Sequence, residues 1–289
     1  MKLISFRHAN RDSIGVLDSQ RVIDLAPIAD RFGHSIKELL ERDMLASLRE
    51  AVANTDLQSL PLDAIQFRPV IDAPGKILCI GINFATHVKE TGREMPKYPM
   101  IFTRFADSLT AHGASILRPQ VSSKLDFEGE LAVVIGRPAR HVKREHAFGY
   151  VAGYSAFNDG SVRDWQKHTL QFTPGKNFPH TGAFGPWLVT ADEFGDPSLR
   201  HMTTRLNGEV MQDTGLADMI FDVPALIEYC SAFTPLAAGD VIVTGTTGGV
   251  GAFREPPVWM KPGDVVEVEI SGIGVLRNGI ADEARGSQS

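Results

Sequence analysis

Asp126-Phe127-Glu128-Gly129-Glu130-Leu131-Ala132-Val133-Val134-Ile135 joins three acids at a spacing of two to an apolar, β-branched run. On an extended chain residues two apart point to the same face, so Glu128 and Glu130 project together and Asp126 has the spacing to join them. Carboxylates set this close repel one another unless a cation neutralises them, and hard ions such as Mg²⁺, Mn²⁺ or Ca²⁺ seek oxygen ligands. A solvated acidic strand end has the same spacing. Taken alone, the stretch leaves both readings open.

Working outward, Ile77–Ile80, Val241–Val243 and Val265–Ile270 are further β-branched runs bounded by Gly or Pro and read as strands. Helical patterns interrupt them at 84–91, 144–148, 161–171 and 223–232, too irregularly for alternating βα units. The opening segment Leu3–Leu25 reads as short antiparallel strands, with turns at Asn10-Arg11-Asp12 and Asp18-Ser19-Gln20. Helical spacing follows at 35–40 and 45–53, and 60–74 reads as a proline-bearing connection. The expectation is a β-rich α+β fold with a small N-terminal α/β module at 1–70 and a catalytic domain at 71–289. The tail from Glu283 to Ser289 reads as a loose polar end.

With 289 residues, 43% hydrophobic and 22% charged, the chain has ample material for a sizeable core. A formal charge of -6 makes nucleic acid an unfavourable partner. No apolar run approaches the ~20 residues that span a bilayer, and Met1–Arg7 lacks a following signal-type apolar stretch, so no membrane partner and a cytoplasmic location are expected. Cys79 and Cys230 are too few and too distant for a disulfide framework or a thiolate metal site.

Three further segments carry chemistry. Asn158-Asp159-Gly160-Ser161 is a turn sequence able to cap a helix; if one starts there, Arg163 and Gln166 share a face with Asp159 at its entry. His87 and Glu90, three apart on a helix, form an acid-oriented imidazole of the kind that takes a proton from water, though such pairs are also common surface decoration, and the polar stretch from Lys89 to Lys97 reads as mobile. Lys176 lies in a loop from which its cation can face an anion, although most loop lysines face water, and Thr244-Gly245-Thr246-Thr247-Gly248-Gly249-Val250-Gly251 can bring backbone N–H groups to an anionic ligand. There is no phosphate-binding P-loop ending and no Gly-x-Ser-x-Gly elbow.

In their order these pieces resemble the fumarylacetoacetate hydrolase family. The matching segments are Gly81-Ile82-Asn83-Phe84 with His87 and Glu90, Asp126 to Glu130, Gly153-Tyr154 through Gln166, Lys176, and Gly185-Pro186-Trp187. Leu206-Asn207-Gly208 with Gln212, Pro235-Leu236 with Gly239-Asp240, and Thr244-Gly245-Thr246 complete them. The resemblance implies a twisted mixed β-roll, a homodimer and an Mg²⁺ or Mn²⁺ site. By carry-over, Glu128, Glu130 and Asp159 are its metal ligands, with Asp126 outside the matched pair. His87 with Glu90 corresponds to a water-activating dyad and Lys176 to a cation near substrate oxygen. Arg163, Gln166 and Thr246 correspond to substrate contacts. Phe102-Thr103-Arg104 departs from a Phe-x-Lys pattern, which makes Arg104 a candidate two-bond grip on a substrate carboxylate.

The reaction expected on this basis is hydrolytic carbon-carbon cleavage of a 2,4-diketo acid of acylpyruvate type to pyruvate and a second acid. The alternatives are decarboxylation or tautomerisation of a keto diacid on the same site, and keto-acid binding without catalysis.

Overall fold

The computed structural model describes residues 1–284, so the expected loose tail lies outside the described residues from residue 285 onward. The strand Gly129–Ile135 sits near the middle of the larger sheet and is buried at every position. Its side chains alternate between two cores. Leu131, Val133 and Ile135 pack with Met202, Val266, Val268 and Ile270 of a second sheet, whereas Ala132 and Val134 pack with Leu3, Phe32, Val241 and Val243. Burial on both faces explains the unbroken apolar run, and each fully buried aliphatic side chain contributes about 1.5–3 kcal/mol.

The larger sheet runs Ser59–Pro61, Arg21–Asp24, Arg11–Asp18, Lys2–His8, Gly182–Thr190, Val151–Asp159, Gly129–Ile135, Val241–Thr246, Ile77–Gly81, Met100–Arg104. It is mixed. Gly129–Ile135 is antiparallel to both neighbours, while Val241–Thr246 pairs in parallel with Ile77–Gly81. The smaller sheet is ordered Glu209–Gly215, His201–Leu206, Val265–Ile270, Gly274–Asp282, Ile116–Arg118. Val265–Ile270 alternates half-buried and buried, as its Val-Val-Glu-Val-Glu-Ile pattern requires of a strand with one face inward. The architecture is the β-rich α+β arrangement expected.

The N-terminal strands and helices form where expected, at Lys2–His8, Arg11–Asp18, Arg21–Asp24, Ile36–Glu41 and Leu45–Asn54. Ser35 caps the first of these helices by accepting from the Glu38 N–H. These N-terminal strands continue the main sheet: Lys2 and Leu3 pair with Val189 and Leu188.

Two central strands were not anticipated. Val151–Asp159 is buried at all nine positions and built largely from small and polar residues, so it lacks alternation. Gly182–Thr190 contains Gly185-Pro186, which argues against a central strand; a register break opposite Tyr154/Ala156 accommodates the proline. The helix expected over 161–171 is a single turn, Arg163–Gln166, because Ser161–Val162 pairs instead with Leu125–Asp126. Among the described residues no helix is long and apolar enough to cross a membrane.

Candidate active site

Gly129 sets the orientation of its neighbours. A Cβ at this position would meet Thr204 Oγ1 at 2.1 Å, so the second sheet packs directly onto the backbone there. Glu128 and Glu130 therefore project from the other face, as the spacing of two predicts. They meet Asp159, the last residue of Val151–Asp159, and one oxygen from each carboxylate lies within 4.8 Å of the others. All three side chains are buried.

Three buried cations surround them. Lys176, on the one-turn helix Thr173–Lys176, is 1% exposed and donates to Glu128 Oε2 and Asp159 Oδ2, each at 2.5 Å, and to Ser161 Oγ at 2.6 Å. Arg163 donates from Nε to Asp126 Oδ2 at 2.7 Å and from Nη1 to Gln166 Oε1 at 3.0 Å. Its Nη2 is 2.7 Å from Glu128 Oε1, an ion-pair contact without the alignment of a hydrogen bond. Arg104 pairs with Asp159 and donates to Gly160 O and Thr181 Oγ1.

These charges divide the acids. Burial raises the Glu128 pKa, but Arg163 and Lys176 outweigh it and hold this carboxyl below its ordinary range. Among the described residues Glu130 has no cation in hydrogen-bond contact; it accepts the Gly245 N–H at 2.6 Å. Burial, reinforced by the charges of Asp159 and Glu128, pushes its pKa well above the ordinary carboxylate value. Burial also lowers the Lys176 pKa, but Asp159 and Glu128 reverse this and leave its ammonium stabilised.

The donor set fits a hard divalent cation: three convergent carboxylates, all oxygen donors, one of them without an ion pair among the described residues. When bound there, such an ion supplies positive charge to oxygens of the acids and of an adjoining ligand.

His87 stands on the helix Ala85–Thr91 and is buried to 6% exposure. Its Nδ1 lies 2.9 Å from Glu90 Oε2, and Glu90 Oε1 accepts the Gly249 N–H at 2.8 Å. With Nδ1 engaged, Nε2 is the nitrogen left for chemistry. The helix is tied down because the Thr86 N–H and hydroxyl both donate to Asp218 Oδ2. Phe253 packs edge-on against the His87 ring.

A cavity of about 100 Å³ connects these groups. Glu128, Glu130, Lys176, His87, Arg163, Gln166 and Thr246 line it, with Phe102, Phe172, Ile82 and Phe253 as apolar wall. Thr246 donates to Gly129 O at 2.9 Å and accepts from Gln212 Nε2 at 2.8 Å, which fixes its hydroxyl beside the carboxylates.

Asp159, Glu90 and Arg104 are not in the cavity wall. Asp159 lies beneath it and Glu90 behind His87. Arg104 departs furthest from its expected part: its fully buried guanidinium is taken up by Asp159, Gly160 and Thr181, so it supports the acid cluster and does not face a substrate. Gly182 makes room for it, since a Cβ there would come within 2.8 Å of Arg104 Nε. The anions reached by the Thr244–Gly251 amides are the protein's own Glu130, Glu90 and Asp126. The Asn158-Asp159 turn also acts otherwise than as a helix cap: Asn158 Oδ1 accepts the Glu128 N–H at 2.9 Å.

Sequence reasoning missed Ser161 as a Lys176 partner and Gln212 as the side chain that accepts the Gly129 N–H and orients Thr246. Asp126 is now placed. It accepts from Arg163 and from the Gly251 and Ala252 N–H groups, and so supports the site without joining the three acids.

A family profile described as "Fumarylacetoacetate (FAA) hydrolase C-terminal" matches residues 76–281. The chain belongs to the fumarylacetoacetate hydrolase family. Its fold is that family's, a mixed, β-rich α+β fold with an N-terminal module, and the chain is similar over 98% of its length to the solved fumarylacetoacetate hydrolase of Exiguobacterium antarcticum, with 34% identity, full coverage of that chain and a TM-score of 0.87. Curated relatives include an oxaloacetate tautomerase, described as mitochondrial, of Bos taurus. It is 40% identical over 261 residues, covering 89% of this chain and 83% of its own. The corresponding protein of Rattus norvegicus is 36% identical over 285 residues, covering 96% and 91%. Within this family the chain is an enzyme with a buried triad suited to a divalent metal.

Proposed function

We propose that the protein interconverts the keto and enol forms of a small 2-oxo diacid of oxaloacetate type, with Mg²⁺ or Mn²⁺ held by Glu128, Glu130 and Asp159. The observation that carries this reading is that His87 lines one small cavity together with the cluster of Lys176 and the carboxylates. The imidazole moves a proton and the cluster stabilises developing oxyanion charge, which is what proton abstraction beside a carbonyl requires. The curated relatives, named as oxaloacetate tautomerases, support the same choice.

Glu90 holds the Nδ1–H of His87, leaving Nε2 to take a proton from the methylene carbon between the 2-oxo group and the distal carboxylate. The carbon-hydrogen electrons move into the new carbon-carbon double bond, and the carbonyl pair moves onto oxygen beside the Lys176 ammonium. Protonation of that oxygen completes the enol; the reverse sequence restores the ketone. Arg163 and Gln166 hold the substrate carboxylate, Thr246 is engaged by Gly129 and Gln212 and only lines the wall beside them, and Phe102, Phe172 and Phe253 limit water.

A second reading is hydrolysis of a 2,4-diketo acid, favoured by the His87–Glu90 pair, which is equally suited to taking a proton from water. The experiment that separates them follows loss of the enol absorbance of oxaloacetate, and in parallel pyruvate release from acylpyruvates, with Mg²⁺ or Mn²⁺ present. Enol-ketone interconversion that collapses in His87→Ala supports tautomerisation. Efficient pyruvate release from an acylpyruvate, with no acceleration of oxaloacetate interconversion, overturns it.

A further inference from the structure

The cavity has a second charged end that the proton-transfer chemistry does not use. Its floor is the buried cluster of Glu128, Glu130 and Lys176, which are 5%, 2% and 1% exposed. Its rim includes Arg93, just past the C-terminus of the His87 helix, and Lys167, just past Gln166, both exposed. Neither side chain makes an ion pair or hydrogen bond among the described residues, and the only acids in the cavity lining are those at the floor. Phe102 and Phe172 are among the apolar side chains of the wall.

Two unpaired cations at the mouth of a pocket whose floor carries the reacting groups form an anion-selective entrance. We propose that Arg93 and Lys167 read the distal carboxylate of the substrate and make the site selective for 2-oxo diacids over 2-oxo monoacids. This rests on the keto-acid reading above and adds to it the residues that select the diacid. With its 1-carboxylate and 2-oxo group at the floor, a short diacid points its second carboxylate toward the rim. The planar Arg93 guanidinium offers two parallel donors and Lys167 a point charge. Because Arg93 follows directly on the His87 helix, gripping the distal carboxylate also holds that helix against the substrate. A monoacid leaves both cations in water and gains nothing from them.

The test is titration calorimetry of the Mg²⁺-loaded protein with oxaloacetate and, separately, with pyruvate, on the wild type and on Arg93→Ser, Lys167→Ser, the double variant and Lys167→Glu. The wild type is expected to bind oxaloacetate more tightly than pyruvate. The double variant should lose roughly tenfold in oxaloacetate affinity with pyruvate affinity unchanged, since each exposed charge contact is worth up to about 1 kcal/mol and 1.4 kcal/mol is tenfold. Lys167→Glu should weaken oxaloacetate further than Lys167→Ser, and added salt should narrow the wild-type preference. Equal loss for both ligands, a preference surviving in the double variant, or no wild-type preference each overturns the proposal alone. Binding of neither ligand overturns the keto-acid reading beneath it, and the proposal falls with it.

Discussion

The Nζ of Lys176 lies 2.5 Å from Oε2 of Glu128, with both side chains buried. The same ammonium also meets Asp159 at 2.5 Å, so one cation holds two members of the acid triad together. Removing it takes one counter-charge from each of two buried carboxylates and leaves Glu128 to Arg163 and Asp159 to Arg104. Lys176→Met is therefore expected to cost the metal-free protein about 3–5 kcal/mol, as loss of one partner from a buried ion pair does. Mg²⁺ or Mn²⁺ should return part of that loss by supplying charge to the same oxygens. Urea denaturation of both proteins with and without the ion measures it; equal stabilisation of both by the ion would show that the ammonium and the ion do not share the acids' charge.

Asp126 acts through Arg163. It fixes Nε on one side and takes the Gly251 and Ala252 amides on the other, linking the segment that carries Phe253 to the substrate-facing guanidinium. Asp126→Asn keeps the size but removes the charge, and the raised KM expected, about tenfold or more, follows from a loosened Arg163. Steady-state kinetics should show the change mainly in KM. A pure kcat loss would place Asp126 in the chemistry itself.

What could be read from the sequence divides along physical lines. The acids at spacing two, the Arg163–Gln166 adjacency and the His87–Glu90 pair were legible because each depends only on local periodicity. The strand under Asp159 was not, because Val151–Asp159 is buried on both faces and shows no alternation. The depth of Lys176 was not either: its segment reads as an ordinary loop, and its burial comes from carboxylates 17 and 48 residues away in the chain. For Arg104, the Phe-Thr-Arg stretch does not show which acid lies beside its guanidinium. That acid proved to be Asp159, which turns an expected substrate grip into a support.

The two glutamates predict opposite pH responses. Glu130 has its pKa raised in the fold above its ordinary 4.5, so its contribution is fully present below pH 4.5 and is lost as pH rises through the higher folded value. Glu128 has a lowered pKa, so its contribution is present above pH 4.5 and is lost as pH falls below it. Metal-free protein should thus lose stability on both sides, and Mg²⁺, which favours ionised Glu130, should stabilise more as pH rises above 4.5. Melting curves across pH with and without Mg²⁺ check this; a metal-induced shift independent of pH would count against proton release from Glu130.

Gly129 offers a test of the packing that aims the acids. Its missing Cβ would lie 2.1 Å from Thr204 Oγ1, far inside contact distance, and 3.3 Å from Val268 Cγ1. Gly129→Ala should therefore destabilise by about 1–3 kcal/mol, the usual cost of overpacking a close-packed interior. Removing the obstructing hydroxyl in Gly129→Ala/Thr204→Ala should recover much of it, because the two positions share one contact and their effects cannot add. The Thr204 hydroxyl has no hydrogen-bond partner among the described residues, so its loss strands no buried group. A double-mutant cycle by chemical denaturation measures the coupling, and the same proteins titrated with Mn²⁺ report whether the acids have moved. If steric pressure at Gly129 tilts the strand, metal affinity should fall in Gly129→Ala and recover with stability in the double variant. Recovery of stability without recovery of Mn²⁺ affinity would mean that something other than this sheet contact aims Glu128 and Glu130.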